Sequence, residues 1–180
     1  MNHHLLGICG ALRAASTNRK LMSEVQRLFA PARWTEGNLR LPLYDGDLED
    51  QGIPPEVQAL AEAIAAADAV VIVTPEYNKA LPGVLKNALD WVSVTAKNPW
   101  HNKPVAICSA AAGRAGGERS QWSLRLCLTP FRPRLLMGPE VMVAASSKAF
   151  DPEGRLIDER TEKLLVELMA DLHREIERGA

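Results

Sequence analysis

A chain of 180 residues, 47% of them hydrophobic, is the length of one domain and can build an apolar core without disulfides or metal. Its 21 Lys and Arg stand against 22 Asp and Glu, with both signs scattered. That excludes a nucleic-acid binder that draws its affinity from a basic face. Cys9, Cys108 and Cys127 show no CxxC spacing, so neither a disulfide framework nor a zinc ribbon is expected, and a reducing, cytoplasmic setting fits.

The opening segment, Met1 to Leu6, lacks the basic and long apolar regions of a secretory signal. No apolar run is long enough for membrane insertion. His3 and His4, adjacent on a strand, point to opposite faces and have no third ligand nearby, so no metal site is expected. Leu5 to Cys9 reads as a short buried strand, followed by a loop and a helix from Asn18 to Phe29. Residues 33–41 form a weaker, more polar strand suited to the sheet's edge. Leu43 to Pro54 is a turn-rich loop, and Pro54-Pro55 opens a helix through Ala67.

Ala69 to Val73 is continuous and β-branched, bounded by Asp68 and Pro75, and gives the strongest strand signal. A helix follows from Pro82 to Val94, a strand over Val105 to Cys108, and a helix from Gly117 to Leu128. A last strand falls within Arg134 to Val143, and the final helix runs from Asp158 to Ile176. Strands alternating with helices define an α/β chain with a parallel sheet, covered on both faces because its strands are apolar throughout. Right-handed crossovers leave the two common doubly wound orders, both of which bind ligands at the carboxyl ends of the strands.

The first such loop is Gly10-Ala11-Leu12-Arg13-Ala14-Ala15-Ser16-Thr17-Asn18. It faces the positive end of a helix, where free N–H groups point outward, and Arg13, Ser16, Thr17 and Asn18 add donors suited to phosphate oxygens. Helix capping by Ser16 or Asn18 is compatible with that role. Other phosphate loops fit badly. No Gly-Lys-Ser/Thr ends a Walker pattern, and the second and third glycine positions of a dinucleotide fingerprint hold Leu12 and Ala15. A cysteine phosphatase needs Arg six positions after Cys9, where Ala15 stands, so Cys9 reads as a small core residue.

The most distinctive stretch is Thr74-Pro75-Glu76-Tyr77-Asn78-Lys79-Ala80-Leu81-Pro82-Gly83-Val84-Leu85-Lys86-Asn87-Ala88-Leu89-Asp90-Trp91. Pro75 stiffens the strand exit, Tyr77 offers a flat ring, and Asn78 can both donate and accept. Taken alone, Pro-Glu-Tyr-Asn is an ordinary turn. Residues 75–91 nevertheless carry the whole PEYN-x-x-x-PG-x-LKNA-x-DW run of the NAD(P)H-dependent FMN reductases, a family of quinone, chromate and azo-dye reductases. GALRAASTN at residues 10–18 resembles the same family's GSLR-x-x-S-x-N loop, and residues 109–117 resemble its small-residue loop after the fourth strand.

That resemblance implies a flavodoxin-like three-layer sandwich over residues 1–180, with a five-stranded parallel sheet of order 2-1-3-4-5 carrying one FMN. Arg13, Ser16, Thr17, Asn18 and Arg19 are then expected at the phosphate, and Pro75, Glu76, Tyr77 and Asn78 along the isoalloxazine. Ser109, Ala111 and Gly113 are expected to close its other edge through backbone groups, with the amides of residues 113–117 facing charge at the pyrimidine edge. The resemblance further implies NADPH or NADH as donor, small-molecule acceptors, no catalytic side chain of the protein's own, and a homodimer or homotetramer. Ala11 stands where the family commonly has Ser, and Lys79 and Arg114 replace small or apolar residues. One of these cations is expected to meet the phosphates of the nicotinamide cofactor, with a solvated surface charge as the alternative. A flavodoxin-type electron carrier is the rival within the fold, but such carriers tend to be strongly acidic and this chain is nearly neutral. A flavin-free hydrolase or regulator on the same fold stays open.

Overall fold

Six strands and six α-helices alternate along residues 3–179, which the computed structural model describes; Met1 and Asn2 of the opening segment and Ala180 lie outside them. In chain order they are β1 (His4–Cys9), α1 (Thr17–Phe29), β2 (Arg33–Gly37), α2 (Gly46–Glu49), α3 (Pro55–Ala66) and β3 (Ala69–Thr74). They continue with α4 (Gly83–Ser93), β4 (Pro104–Ala110), α5 (Glu118–Leu128), β5 (Arg134–Leu135), β6 (Val141–Val143) and α6 (Glu159–Arg178).

The strands pair in parallel in the order β2-β1-β3-β4-β5, the one of the two doubly wound orders that the family resemblance implies. The outermost position is shared. β5 pairs with the start of β4, and β6 pairs with its end, at Cys108, Ser109 and Ala110. Pro139 between them has no N–H to give to a ladder, so the expected single strand is broken into two pieces.

Side-chain alternation decides what lies behind each loop. On β3, Ala69, Val71 and Val73 face the layer of α1 and α6, while Val70 and Ile72 face α3, α4 and α5. β4 divides in the same way, with Ala106, Cys108 and Ala110 on the first side and Val105 and Ile107 on the second. α6 contributes Leu165, Leu168, Met169, Leu172 and Ile176 to the first layer, at the spacing of one helix face. No helix among the described residues is long and apolar enough to cross a membrane. His4 Nε2 lies 2.8 Å from Thr35 Oγ1 on β2, while His3 sits near His173 of α6 with ring centroids 5.5 Å apart, so the two are indeed turned apart. The described residues hold no group of three His, Cys, Asp or Glu that could hold a metal ion.

A buried carboxylate ties the last loop to α1. Glu24 accepts two hydrogen bonds from Arg27 at 2.8 Å, one from Arg155 at 3.0 Å and one from the Leu156 amide at 3.2 Å. Burial opposes its ionisation, but these donors outweigh it and hold the carboxyl below the usual glutamate range. Its contribution is therefore complete above that range and is lost as pH falls through the depressed folded value. Glu24→Gln should cost about 3 kcal/mol near neutral pH. Denaturant melts at neutral and acid pH should show that cost shrinking in acid.

Candidate active site

Three loops meet at the carboxyl edge of β1, β3 and β4. The first leaves β1 at Gly10, whose amide donates to the Val73 carbonyl at 2.8 Å. A Cβ built on Gly10 would stand 2.7 Å from Leu85 and 2.9 Å from Pro82, so only glycine lets this loop pass so close to α4. Ser16 caps α1, its Oγ accepting from the Asn18 amide at 3.2 Å. Arg13 is exposed on the loop, and Thr17 Oγ1 donates to Ser146 Oγ at 3.1 Å. Among the described residues the turn thus leaves the Thr17 amide, the Ser16 hydroxyl proton and the Arg13 guanidinium for an anion at the positive end of α1.

Two residues expected beside them are placed otherwise. Asn18 is only 2% exposed, and its side chain is spent on β4: Nδ2 donates to the Ala110 carbonyl at 2.8 Å and Oδ1 accepts from the Ala110 amide at 3.0 Å. Arg19 turns to the edge strand and pairs with Glu36 at 2.9 Å. That ion pair and the Arg155–Glu24 pair line a depression of about 480 Å³ between α1 and residues 152–155. Its charges are matched within the chain, which makes it a weak ligand site.

The second loop follows β3. Tyr77 and Ala80 exchange backbone hydrogen bonds at 3.1 Å, with Asn78 (φ 49°) and Lys79 (φ 66°) left-handed between them. Two consecutive positive φ angles make this a type I′ turn, in which a lysine in the second place is strained. The turn lifts the Tyr77 ring into solvent, 53% exposed. Glu76 faces α5 instead: its carboxylate accepts from the Arg119 amide at 3.1 Å, capping that helix. Ser120 Oγ donates to the Pro75 carbonyl at 2.8 Å, and the Leu81 amide donates to Ser123 Oγ at 2.8 Å, so α5 carries the whole turn.

The third loop leaves β4 at Ser109, which alternation turns toward α5. Ser109 Oγ donates to the Gly116 carbonyl at 2.7 Å and accepts from Gln121 Nε2 at 2.9 Å. Gly116 and Gly117 are both left-handed, and a Cβ on Gly116 would stand 2.6 Å from the Met142 backbone. Ala111 is held from both sides, its amide donating to Val143 and its carbonyl accepting from Ser146. Gly113 faces open space, with no atom within 4 Å of the place a Cβ would take. Arg114 is exposed beside it.

Between the first two loops and α4 lies a cleft of about 420 Å³. Gly10, Leu12, Arg13, Tyr77 and Pro82 line one part of it. Leu41 and Leu43, with Val84 and Asn87 of α4, line the rest and were not singled out from the sequence. Leu41-Pro42-Leu43 is nevertheless an apolar run inside a turn-rich loop, and Asn87 belongs to the 75–91 run. Neither cysteine at this end of the sheet is a nucleophile in waiting. Burial pushes the Cys9 and Cys108 thiols up, which keeps them protonated.

An open parallel sheet of this order, with an anion-ready helix start, a flat ring and a glycine turn at its carboxyl edge, is a flavodoxin-like ligand-binding fold. The chain belongs to the NADPH-dependent FMN reductase family, which residues 3–148 match, and is an oxidoreductase. It is 42% identical to an NAD(P)H-dependent FMN reductase of Pseudomonas aeruginosa, over 89% of this chain and 88% of that protein. It is 40% identical to a quinone reductase of Escherichia coli, over 86% of this chain and 85% of that one. Among solved structures it resembles FerB, a flavoenzyme NAD(P)H:acceptor oxidoreductase of Paracoccus denitrificans, with a TM-score of 0.88, 31% identity and 98% of both chains covered.

Asn18 joins the first and third loops, so its loss should be felt in both stability and ligand retention. Asn18→Ala leaves the buried amide and carbonyl of Ala110 without partners and should cost about 2–4 kcal/mol in a denaturant melt.

Proposed function

We propose that residues 1–180 act as one FMN-binding domain that takes a hydride from NADH or NADPH and passes electrons to small oxidised acceptors. Quinones come first among these, ahead of chromate, azo dyes, ferric complexes and free flavin. The observation that carries this reading is the meeting of the α1 start, the exposed Tyr77 ring and the Gly113–Gly117 turn around one open edge of the sheet.

The residues present fit FMN. The Arg13 guanidinium, the Ser16 hydroxyl and the Thr17 amide at the start of α1 supply donors to a phosphate, and the Thr17 hydroxyl joins them on turning from Ser146. Asn18 supports them from behind by anchoring their loop to Ala110, and Arg19 does so by its pairing with Glu36. Tyr77 offers a flat face to a ring system and Asn78 a polar edge, while the buried Pro75 supports the turn from behind and Glu76 fixes it to α5. Ser109 holds the glycine turn, Ala111 fixes it to Val143 and Ser146 through both its backbone groups, and Gly113 leaves open space beside it. Bound FMN supplies the two-electron chemistry, so no side chain is assigned as a catalytic acid, base or nucleophile.

Donor and acceptor would use the same open flavin face beside Tyr77 in turn, giving ping-pong kinetics. Self-association as a homodimer or homotetramer is supported by Trp122 and Leu126, exposed one turn apart on α5. Action in the cytoplasm fits the unpaired state of Cys9, Cys108 and Cys127.

Purified protein should show flavin absorption bands that bleach on anaerobic addition of NADPH or NADH and return when a quinone is added. A colourless protein that takes up no FMN overturns the reading. A flavin that binds without bleaching points to a carrier instead. Lys79 and Arg114 are the exposed cations of the second and third loops. If one of them meets the cofactor's phosphates, Lys79→Ala or Arg114→Ala should raise the nicotinamide KM about tenfold. Unchanged KM values for NADH and NADPH in both variants leave them as surface charges.

A further inference from the structure

We propose that Leu43, held over the cleft by a staple that Asn87 and Trp91 close on Pro42, selects apolar aromatic acceptors over small inorganic anions; this rests on the reductase reading above. The segment between β2 and α2 has no regular structure of its own and should be loose if left alone. It is instead pinned to α4. Asn87 Nδ2 donates to the Pro42 carbonyl at 2.8 Å, and Trp91 Nε1 donates to the same oxygen at 2.9 Å. The Tyr44 amide returns a hydrogen bond to Asn87 Oδ1 at 2.8 Å. The Tyr44 ring then stands edge-on to the buried Trp91 ring, with centroids 5.1 Å apart.

Leu43 sits between these anchors and is 82% exposed. A lone exposed leucine needs no explanation. This one is fixed on both sides and lines the cleft together with Leu12 and Tyr77. Leu41, Leu43 and Val84 present no donor to an oxyanion, and the Asn87 amide is already engaged by the loop. Arg13 also lines the cleft, but on the reading above its guanidinium is engaged by the FMN phosphate; the Leu41, Leu43 and Val84 side then suits a flat apolar molecule, which gains by covering Leu43, whereas a hydrated anion gains nothing from that wall. Asn87 and Trp91 act through the loop and are positioning residues; Leu43 makes the contact. The same geometry explains why the LKNA-x-DW half of the run carries an amide and an indole one turn apart.

The test compares Leu43→Ser with wild-type holoenzyme using 1,4-naphthoquinone and ferricyanide as acceptors. The naphthoquinone-to-ferricyanide ratio of kcat/KM should fall about tenfold, carried by the naphthoquinone KM. The Kd of naphthoquinone for the oxidised holoenzyme, read by fluorescence quenching without any donor, should rise by a similar factor. Asn87→Ala should lower the same ratio with Leu43 in place; an unchanged ratio there removes the staple from the assignment. A ratio within about twofold of wild type in Leu43→Ser overturns the proposal. So does a drop in oligomeric state with equal losses on both acceptors, which assigns Leu43 to a contact between copies. A wild-type protein that neither holds FMN nor oxidises a nicotinamide fails the reductase reading before Leu43 is tested. An active wild type with an unchanged Leu43→Ser ratio fails this inference alone.

Discussion

The side-chain amide of Asn18 spans from the start of α1 to the end of β4 and satisfies both backbone groups of Ala110. Two loops that meet one ligand from different strands must keep a fixed separation, and strand pairing alone cannot impose it, because β1 and β4 are not neighbours. The bridge crosses over β3 and is buried, where a hydrogen-bonded amide resists exchange with water. The helix start and the glycine turn are thereby set relative to each other before any ligand arrives.

Behind the loops lies a layer of small hydroxyl and amide groups at positions that would otherwise be apolar. Thr74 and Ser109 occupy equivalent places at the ends of β3 and β4, paired in register and turned toward α5. Ser120 and Gln121 of α5 meet them and, with Ser123, take up the carbonyls and amides that a departing chain leaves unpaired. Gln121 Nε2 also reaches the Val141 carbonyl at 2.9 Å, so the turn at 116–117 and β6 hang from one side chain. α5 is thus less a covering helix than a bracket for two loops.

The architecture was legible because its signals are strong and local. Continuous β-branched strands at β3 and β4, a proline at the start of α3 and a clean apolar face on α6 each announce themselves within a few residues. The loop bearing Arg13 and Ser16 was legible for the same reason, since donors before a helix have few other uses. What side chains do across the fold was not. Nothing local to Asn18 says that its amide is committed to Ala110, nor to Glu76 that its carboxylate caps α5. The Leu41–Tyr44 wall was missed because a turn-rich segment looks unstructured until its partners, more than forty residues away, are seen to hold it.

The family's shared segment ends at residue 148, yet nearly a third of the buried hydrophobic residues on the α1 side are supplied from beyond it. α6 brings five apolar residues to that layer, and Glu24 is buried against Arg155 and Leu156. A fragment cut at residue 148 would keep every loop of the candidate site and lose the wall against which α1 is pressed. The segment common to the family is therefore shorter than the segment that folds, and an exchange of parts with a relative must carry the last helix along with the loops.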